Sequence, residues 1–371
     1  MSDIIVWSSA AGSGKTHAIL QREAEFDCAL TVTRSAAAQL IKRGWSKPCL
    51  TIYQATAKHV RHYVSRWAGG TVKSIASTRA IEDGGDAALR AWLEAAPSRR
   101  RRSPADEMAE RLHGWNEGPL PLHQDEIGLW GRAQQLSFVL PLARWLEAGA
   151  PLADGPQSLG RVACDEFQDW SALEIRCALA LGATLEGYGD AGQAIFAQAK
   201  GCPSGSLPAG WRMAKETRAL GPSRRCGPEL SLYAAGCLKG FVGLQESAWA
   251  SHETTVQPWD SLDEPKTGLV LAFSRADGGR QFKSWGLRET WVRATELSKP
   301  NEKLCLATIH DAKGMEADDV FMLPWPDMPT KLAMCADPAT MLLLYTAITR
   351  ARKRLFIPRS LHWALQWKKD L

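Results

Sequence analysis

The stretch that most constrains this chain is Ser9–Thr16, which reads S-A-A-G-S-G-K-T. It follows an apolar run, Ile4–Trp7, and leads into His17–Leu20, which reads as the first turn of a helix. A strand, a tight Gly-rich turn and a helix carrying Lys-Thr is the layout of a phosphate-binding loop. Glycines let successive backbone N–H groups curl round an anion, and the helix N-terminus adds partial positive charge. On this reading Ala11, Gly12, Ser13 and Gly14 form the cradle, Lys15 reaches the β- and γ-phosphates, and Thr16 holds Mg²⁺. The strict pattern begins with Gly, where this chain has Ser9. A Gly-rich turn alone decides little, so the rest of the chain bears on it.

Two or three domains are expected of 371 residues. With 45% hydrophobic and 23% charged residues, the composition is that of a soluble globular chain. A net charge of +5 permits a polyanionic partner without demanding one. Sixteen tryptophans offer rings for stacking on unpaired bases, although core packing accounts for most of such a set. Nine scattered cysteines without a C-x-x-C pair point to reduced thiols in the cytoplasm and away from zinc or disulfides. The N-terminus goes straight into the first strand, so no signal peptide is expected. No apolar stretch approaches the ~20 residues needed to span a bilayer, so no membrane partner is expected.

Along the chain, strand and helix signals alternate, as in a parallel α/β sheet. Ala29–Thr33 and Cys49–Tyr53 read as strands, with a helix over Arg34–Ile41 between them. From residue 58 to 150 basic and aromatic residues interleave, and Arg99–Arg102 form a run. This part reads as a mostly helical, basic insertion. Its arginine run suits a solvated loop or a nucleic-acid contact equally. Leu159–Trp170 is a short apolar strand ending in Asp165-Glu166. Two carboxylates at a buried strand end need a cation or donors. Asp165 would hold Mg²⁺, and Glu166 would polarise the water that attacks the γ-phosphate. Leu185–Phe196 is another strand with a polar turn, where Gln193 could sense the γ-phosphate, though any turn would read alike. Pro203, Pro208 and Pro222 mark a boundary near residue 215. Beyond it a helix through about Gly240 follows Arg224-Arg225, and 245–266 reads as loop. Gly268–Arg275 reads as a strand, Lys303–Leu323 as strand, loop and strand, and Leu342–Pro358 as a helix carrying arginines 350, 352 and 354 and then a strand.

Seven motifs, taken in order, resemble those of superfamily 1 DNA helicases of the UvrD/Rep type. That family's set is A-x-A-G-S-G-K-T, T-x-T-N-K-A-A, V-D-E-F-Q-D, G-D-x-x-Q-S-I-Y, N-Y-R-S, T-I-H-x-A-K-G-L-E-F and Y-V-A-L-T-R-A. This chain has S-A-A-G-S-G-K-T, T-V-T-R-S-A-A, A-C-D-E-F-Q-D, G-D-A-G-Q-A-I-F, P-S-R-R-C, T-I-H-D-A-K-G-M-E-A and Y-T-A-I-T-R-A. The resemblance implies two RecA-like P-loop NTPase domains with ATP between them. The first motor domain would take residues 1–57 and 151–215, and the second 216–371. Arg225 and Arg350 align with the family's arginine fingers, and Glu316 with its ribose-binding glutamate. Thr33, Arg34, Thr308 and His310 fall in its strand-contact segments, and Phe196 keeps an aromatic position beside the strand.

The chain also departs from the family. Arg224 stands where the base-stacking tyrosine does, Val32 replaces a phenylalanine, and the wedge aromatic aligns with Gln198. The family's adenine-reading glutamine lies ahead of the loop, where this chain has only a few residues. Between residues 226 and 308 there is no room for the large accessory insertion. The resemblance therefore implies a compact ATP- and Mg²⁺-dependent helicase or translocase. Its partner would be single-stranded or tailed duplex DNA, it would move 3′ to 5′, and replication, recombination or repair proteins would join it. A nucleotide-dependent binding ATPase or loader without unwinding is the alternative. RNA stays open as substrate, since no residue here reads a 2′-OH.

Overall fold

In the computed structural model the described residues are 4–57, 59–60, 111–115, 136–150, 158–197, 200, 202, 206–238, 253–260, 265–286, 300–301, 303–324 and 337–370. Strands β1 (Ile4–Ser8), β2 (Cys28–Thr31), β3 (Cys49–Thr51), β4 (Gly160–Cys164), β5 (Ala183–Gly189) and β6 (Glu216–Ala219) form one parallel sheet in the order β3-β2-β4-β5-β1-β6. Its central strands are largely apolar, as a parallel sheet covered by helices requires, with Glu186 of β5 buried in ion pairs with Arg22 and Arg161. Ile4, Val6, Leu30, Val162 and Leu185 have no exposed surface.

Helices α1 (Lys15–Gln21), α2 (Arg34–Lys42), α3 (Leu136–Glu147), α4 (Ala172–Ala180) and α5 (Ala209–Met213) accompany this sheet. Local sequence fixes two of their starts. The Thr33 hydroxyl accepts from Ala36 N–H to cap α2, and Ser171 with Glu174 makes a reciprocal capping box on α4. Gly187 in β5 is required by packing. A Cβ there would lie 2.0 Å from the Phe167 ring, which is fully buried against that strand.

A second parallel sheet contains β7 (Thr255–Trp259), β8 (Gly268–Ala272), β9 (Leu304–Thr308), β10 (Ala317–Met322) and β11 (Ala351–Pro358), ordered β7-β11-β10-β8-β9. Helices α6 (Pro228–Leu238), α7 (Arg275–Ser284), α8 (Pro338–Ile348) and α9 (Arg359–Asp370) flank it. Asp337 caps α8, Pro338 opens it, and the helix is buried along most of its length. Each sheet has its own core, one around Leu142, Val162 and Leu185 and the other around Leu269, Val320 and Leu355. The expected α/β class with two parallel-sheet units is therefore what the chain forms. Of the expected helical insertion, 58–150, most lies outside the described residues.

Several local expectations are corrected. Glu216–Ala219 is a strand, and it pairs with β1 in the first sheet, past the boundary expected near 215. The 245–266 stretch holds β7, which pairs with β11; Pro258 is tolerated there because β7 is an edge strand. Arg275 begins α7 rather than ending a strand. Arg352 and Arg354 lie on β11 and not on a helix, while Arg350 sits in the turn between α8 and β11. Exposed side chains at 352–354 disguise a strand whose buried contacts come from Leu355, Ile357 and Pro358.

Candidate nucleotide site and strand-contact face

The strand order places the C-terminal ends of β1, β5 and β4 side by side, where parallel α/β sheets bind ligands. From β1 the chain turns through Ser9–Gly14 into α1. Ser9 fits where the strict pattern has Gly: its N–H bonds Gly189 O at 3.1 Å, and its hydroxyl is buried with no partner among the described residues. Gly12 and Gly14 have φ of 76° and 86°, a region that disfavours side chains. Lys15 Nζ lies 3.5 Å from Ala10 O, and Thr16 Oγ1 lies 3.4 Å from Asp165 Oδ2.

Asp165 and Glu166 follow β4 directly. Burial and the neighbouring Glu166 charge push the Asp165 carboxyl up to about 6. Burial would also raise Glu166, but the charges of Lys313 and Lys15 outweigh it and hold Glu166 below its usual value. Glu166 has a left-handed backbone (φ 51°), a strained state for a residue with a side chain. Gln168 donates to its carboxylate, while Gln168 Oε1 accepts from Asp190 N at 3.1 Å. The β4 and β5 ends are thus tied together beneath the site. Gln193 lies in the 3₁₀ turn after β5 and is nearly buried.

The second half closes the site from the other side. Ser223 Oγ donates to Ala11 O at 2.5 Å, and Arg224 N to Gly12 O at 3.0 Å. A Cβ on Gly12 would lie 2.3 Å from Arg225 Cβ, so this approach needs glycine. Arg225 bonds Thr349 O at 3.2 Å and pairs with Glu316 at 2.7 Å. Arg350 is 1% exposed, yet among the described residues its guanidinium donates only to neutral oxygens, of Thr346, Met315 and Thr349. Burial and the Arg225 charge lower it to about 10, so it stays charged at neutral pH. A buried guanidinium that faces a like charge and has no bonded carboxylate is poised for an anion.

These groups line one cavity of about 560 Å³. Of the expected nucleotide residues, Gly12, Gly14, Lys15, Thr16, Asp165, Glu166, Gln193, Arg224, Arg225, Glu316 and Arg350 all line it. Ala11 turns away to Ser223, and Ser13 presents a buried hydroxyl with no partner among the described residues. The cavity also holds a residue the sequence reading missed, Arg43 at the end of α2. The donor set fits a nucleotide triphosphate with Mg²⁺. Left-handed glycines, an orphaned serine hydroxyl and two arginines suit phosphates, and Thr16 with Asp165 suits a hard cation completed by phosphate and water oxygens.

Of the expected strand-contact residues, Thr33, Phe196, Thr308 and His310 do not line this cavity. Phe196 and His310 pack against each other across the two halves, tilted by 49° with ring centroids 5.7 Å apart. Thr308 is buried, and its hydroxyl donates to Asp311 Oδ2 at 2.9 Å, holding the loop after β9. The Thr33 hydroxyl is likewise engaged in capping α2, and Arg34 is the first residue of that helix. Gln198 lies outside the described residues. Also missed was Lys313, within T-I-H-D-A-K-G. Its ammonium lies 2.6 and 2.7 Å from the Asp169 carboxylate oxygens and 2.7 Å from Gln193 O.

The two parallel sheets and the Gly-rich turn between β1 and α1 define an α/β protein with a P-loop type of turn lining its cavity. Residues 303–357, which span T-I-H-D-A-K-G and Y-T-A-I-T-R-A, match the family of the UvrD-like helicase C-terminal domain. No curated protein matches the chain in sequence. Among solved structures, it is similar to an arterivirus nonstructural protein 10 (helicase) in complex with DNA, at 13% identity and TM-score 0.49, covering 99% of this chain and 63% of that one. A crystal structure of arterivirus nonstructural protein 10 (helicase) gives 14% identity and TM-score 0.43, covering 97% of this chain and 60% of that one. The PRRSV helicase gives 14% identity and TM-score 0.45, covering 96% and 51%. The chain thus spans between about half and two thirds of the length of these proteins. Among the described residues, no helix is long and apolar enough to cross a membrane.

Proposed function

We propose that the chain is an ATP-driven motor of the superfamily 1 helicase type that moves along single-stranded DNA. The observation that carries this reading is the composition of the cavity. Lys15, Thr16, Asp165, Glu166 and Gln193 come from the first half, and Arg225 and Arg350 from the second. In this reading Ser9–Thr16 cradles the phosphates, and Thr16 with Asp165 holds Mg²⁺, which would neutralise phosphate charge. Glu166, held ionised, accepts a proton from the attacking water. Arg225 and Arg350 meet charge developing on the γ-phosphate oxygens, so hydrolysis requires the two halves to be together. Glu316 serves the ribose through the same loop that pairs with Arg225. The motor units divide after Ala219. Thr33, Arg34, Phe196, Thr308 and His310 mark the strand path, and movement is 3′ to 5′.

The test is ATP hydrolysis with and without single-stranded DNA, over a range of salt, followed by strand displacement on tailed duplexes. Stimulation that fades as salt rises, lost in Lys15→Ala and Glu166→Gln, is expected. Hydrolysis indifferent to DNA would sink the motor reading. Stimulation without displacement of either tailed duplex would replace it with a DNA-dependent loader.

A further inference from the structure

Lys313 bonds the end of the D-E-F-Q-D segment and the turn carrying Gln193, and it also lies over the Phe196 ring. It follows β9 in the second half, yet its three partners belong to the first half. Asp169 closes the D-E-F-Q-D segment that begins with Asp165 and Glu166, and both its carboxylate oxygens accept from Lys313. Gln193 accepts through its backbone oxygen at 2.7 Å. The Phe196 ring lies 5.2 Å from the same ammonium and packs at a tilt against His310. Lys313 is 9% exposed, so these contacts are made largely out of water, where charge-assisted bonds are strong. Asp169 is itself braced from behind, since Lys200 donates to its backbone oxygen at 2.7 Å and pairs with buried Glu174.

This connectivity has a mechanical consequence. On the motor reading, a base packing at Phe196 and His310 would shift the ring that covers the ammonium. Movement of Lys313 then pulls on two acceptors, one three residues past Glu166 and the other on Gln193 itself. The surrounding packing is tight: a Cβ on Gly192 would lie 2.7 Å from the Tyr345 ring of the second half. Little slack is left to absorb such a shift.

We propose that Lys313 is the positioning residue that couples strand occupancy to hydrolysis, through its joint hold on Asp169, Gln193 and Phe196. The inference rests on the motor reading above. An ion pair of this kind serves stability poorly, because an apolar pair of similar volume does as well or better. Coupling accounts for its placement across the interface.

The deciding comparison is between the wild-type chain, Lys313→Met, Lys313→Arg and the double variant Asp169→Leu with Lys313→Met. Each is assayed for ATP hydrolysis with and without oligo-dT, and for its melting midpoint. Lys313→Met leaves the largely buried Asp169 carboxylate without its ammonium partner, so it will melt early. The double variant removes both charges and is expected to melt near the wild type. Its DNA-stimulated to basal ratio is expected to fall at least about tenfold, with the loss in kcat and not in the KM for ATP. Lys313→Arg, which keeps a donor for all three partners, should recover much of the ratio. If the wild type responds to DNA and the double variant responds within about twofold of it, the proposal fails while the motor reading stands. If the wild type ignores DNA, both fall together.

Discussion

Gly12→Ala isolates the claim that hydrolysis depends on the second half reaching into the phosphate loop. The added Cβ would stand 2.3 Å from Arg225 Cβ, and also 3.1 Å from its backbone nitrogen. Carbon atoms in contact sit ~3.5–4.0 Å apart, so the two segments must separate by more than about 1 Å. Arg225 cannot yield by rotating its side chain, because the clash involves its Cβ and backbone. Alanine in the left-handed region costs a further ~1–2 kcal/mol, which sets the expected loss of folding stability. A displacement of about 1 Å at a charge-stabilising group costs on the order of 10²-fold in rate. Steady-state ATP hydrolysis should therefore show kcat down about 100-fold, with the KM for ATP within about threefold. The control is Arg225→Ala, in which Gly12→Ala should cost little more, since the guanidinium is already gone. Retention of kcat within about threefold, or a loss carried wholly by KM, would refute the reasoning.

Two further predictions follow from buried charge. Arg350→Ala should reduce hydrolysis by roughly 10³-fold or more while changing the urea midpoint far less, and Arg350→Lys should not restore it, because an ammonium cannot replace the planar fork; a lysine variant near wild-type rate would overturn the assignment. His113 is buried, with Nδ1 2.9 Å from Ser171 Oγ, and burial lowers it to about 4. Its ordinary value is about 6.5, so the unfolded chain binds the extra proton first. Stability is then full above pH ~6.5 and falls, by up to ~3 kcal/mol, as pH drops toward 4. Urea denaturation at pH 7 and 4.5 should show this loss, and His113→Asn should flatten it; an unchanged slope in the variant would exclude His113 as its source.

Where function depends on short local chemistry, the chain could be read directly. The phosphate loop and Asp165-Glu166 at a strand end are recognisable from residue type and spacing, whereas Gln193, Arg225 and Arg350 stand out only through the helicase resemblance; Lys15, Asp165, Glu166, Gln193, Arg225 and Arg350 all line one cavity. The apolar runs of β1 and β8 were equally plain, while β4 and β5 carry Arg161 and Glu186 among their apolar residues. What was missed lacks such a signal. Strand β6 is largely exposed and β7 holds a proline, so only pairing with β1 and β11 makes them strands.

The same contrast governs the site. Sequence alone nominated the groups expected to meet phosphate and metal, since that chemistry permits few residue types. Tertiary structure decided who their partners are. Gly12 faces Arg225, Arg225 pairs with Glu316, and Lys313 bridges Asp169 and Gln193. Lys313 and Asp169 stand 144 residues apart in the chain. No periodicity or spacing encodes a contact at that separation. It exists because two sheets, each folded on its own core, set their loop-bearing edges against one another.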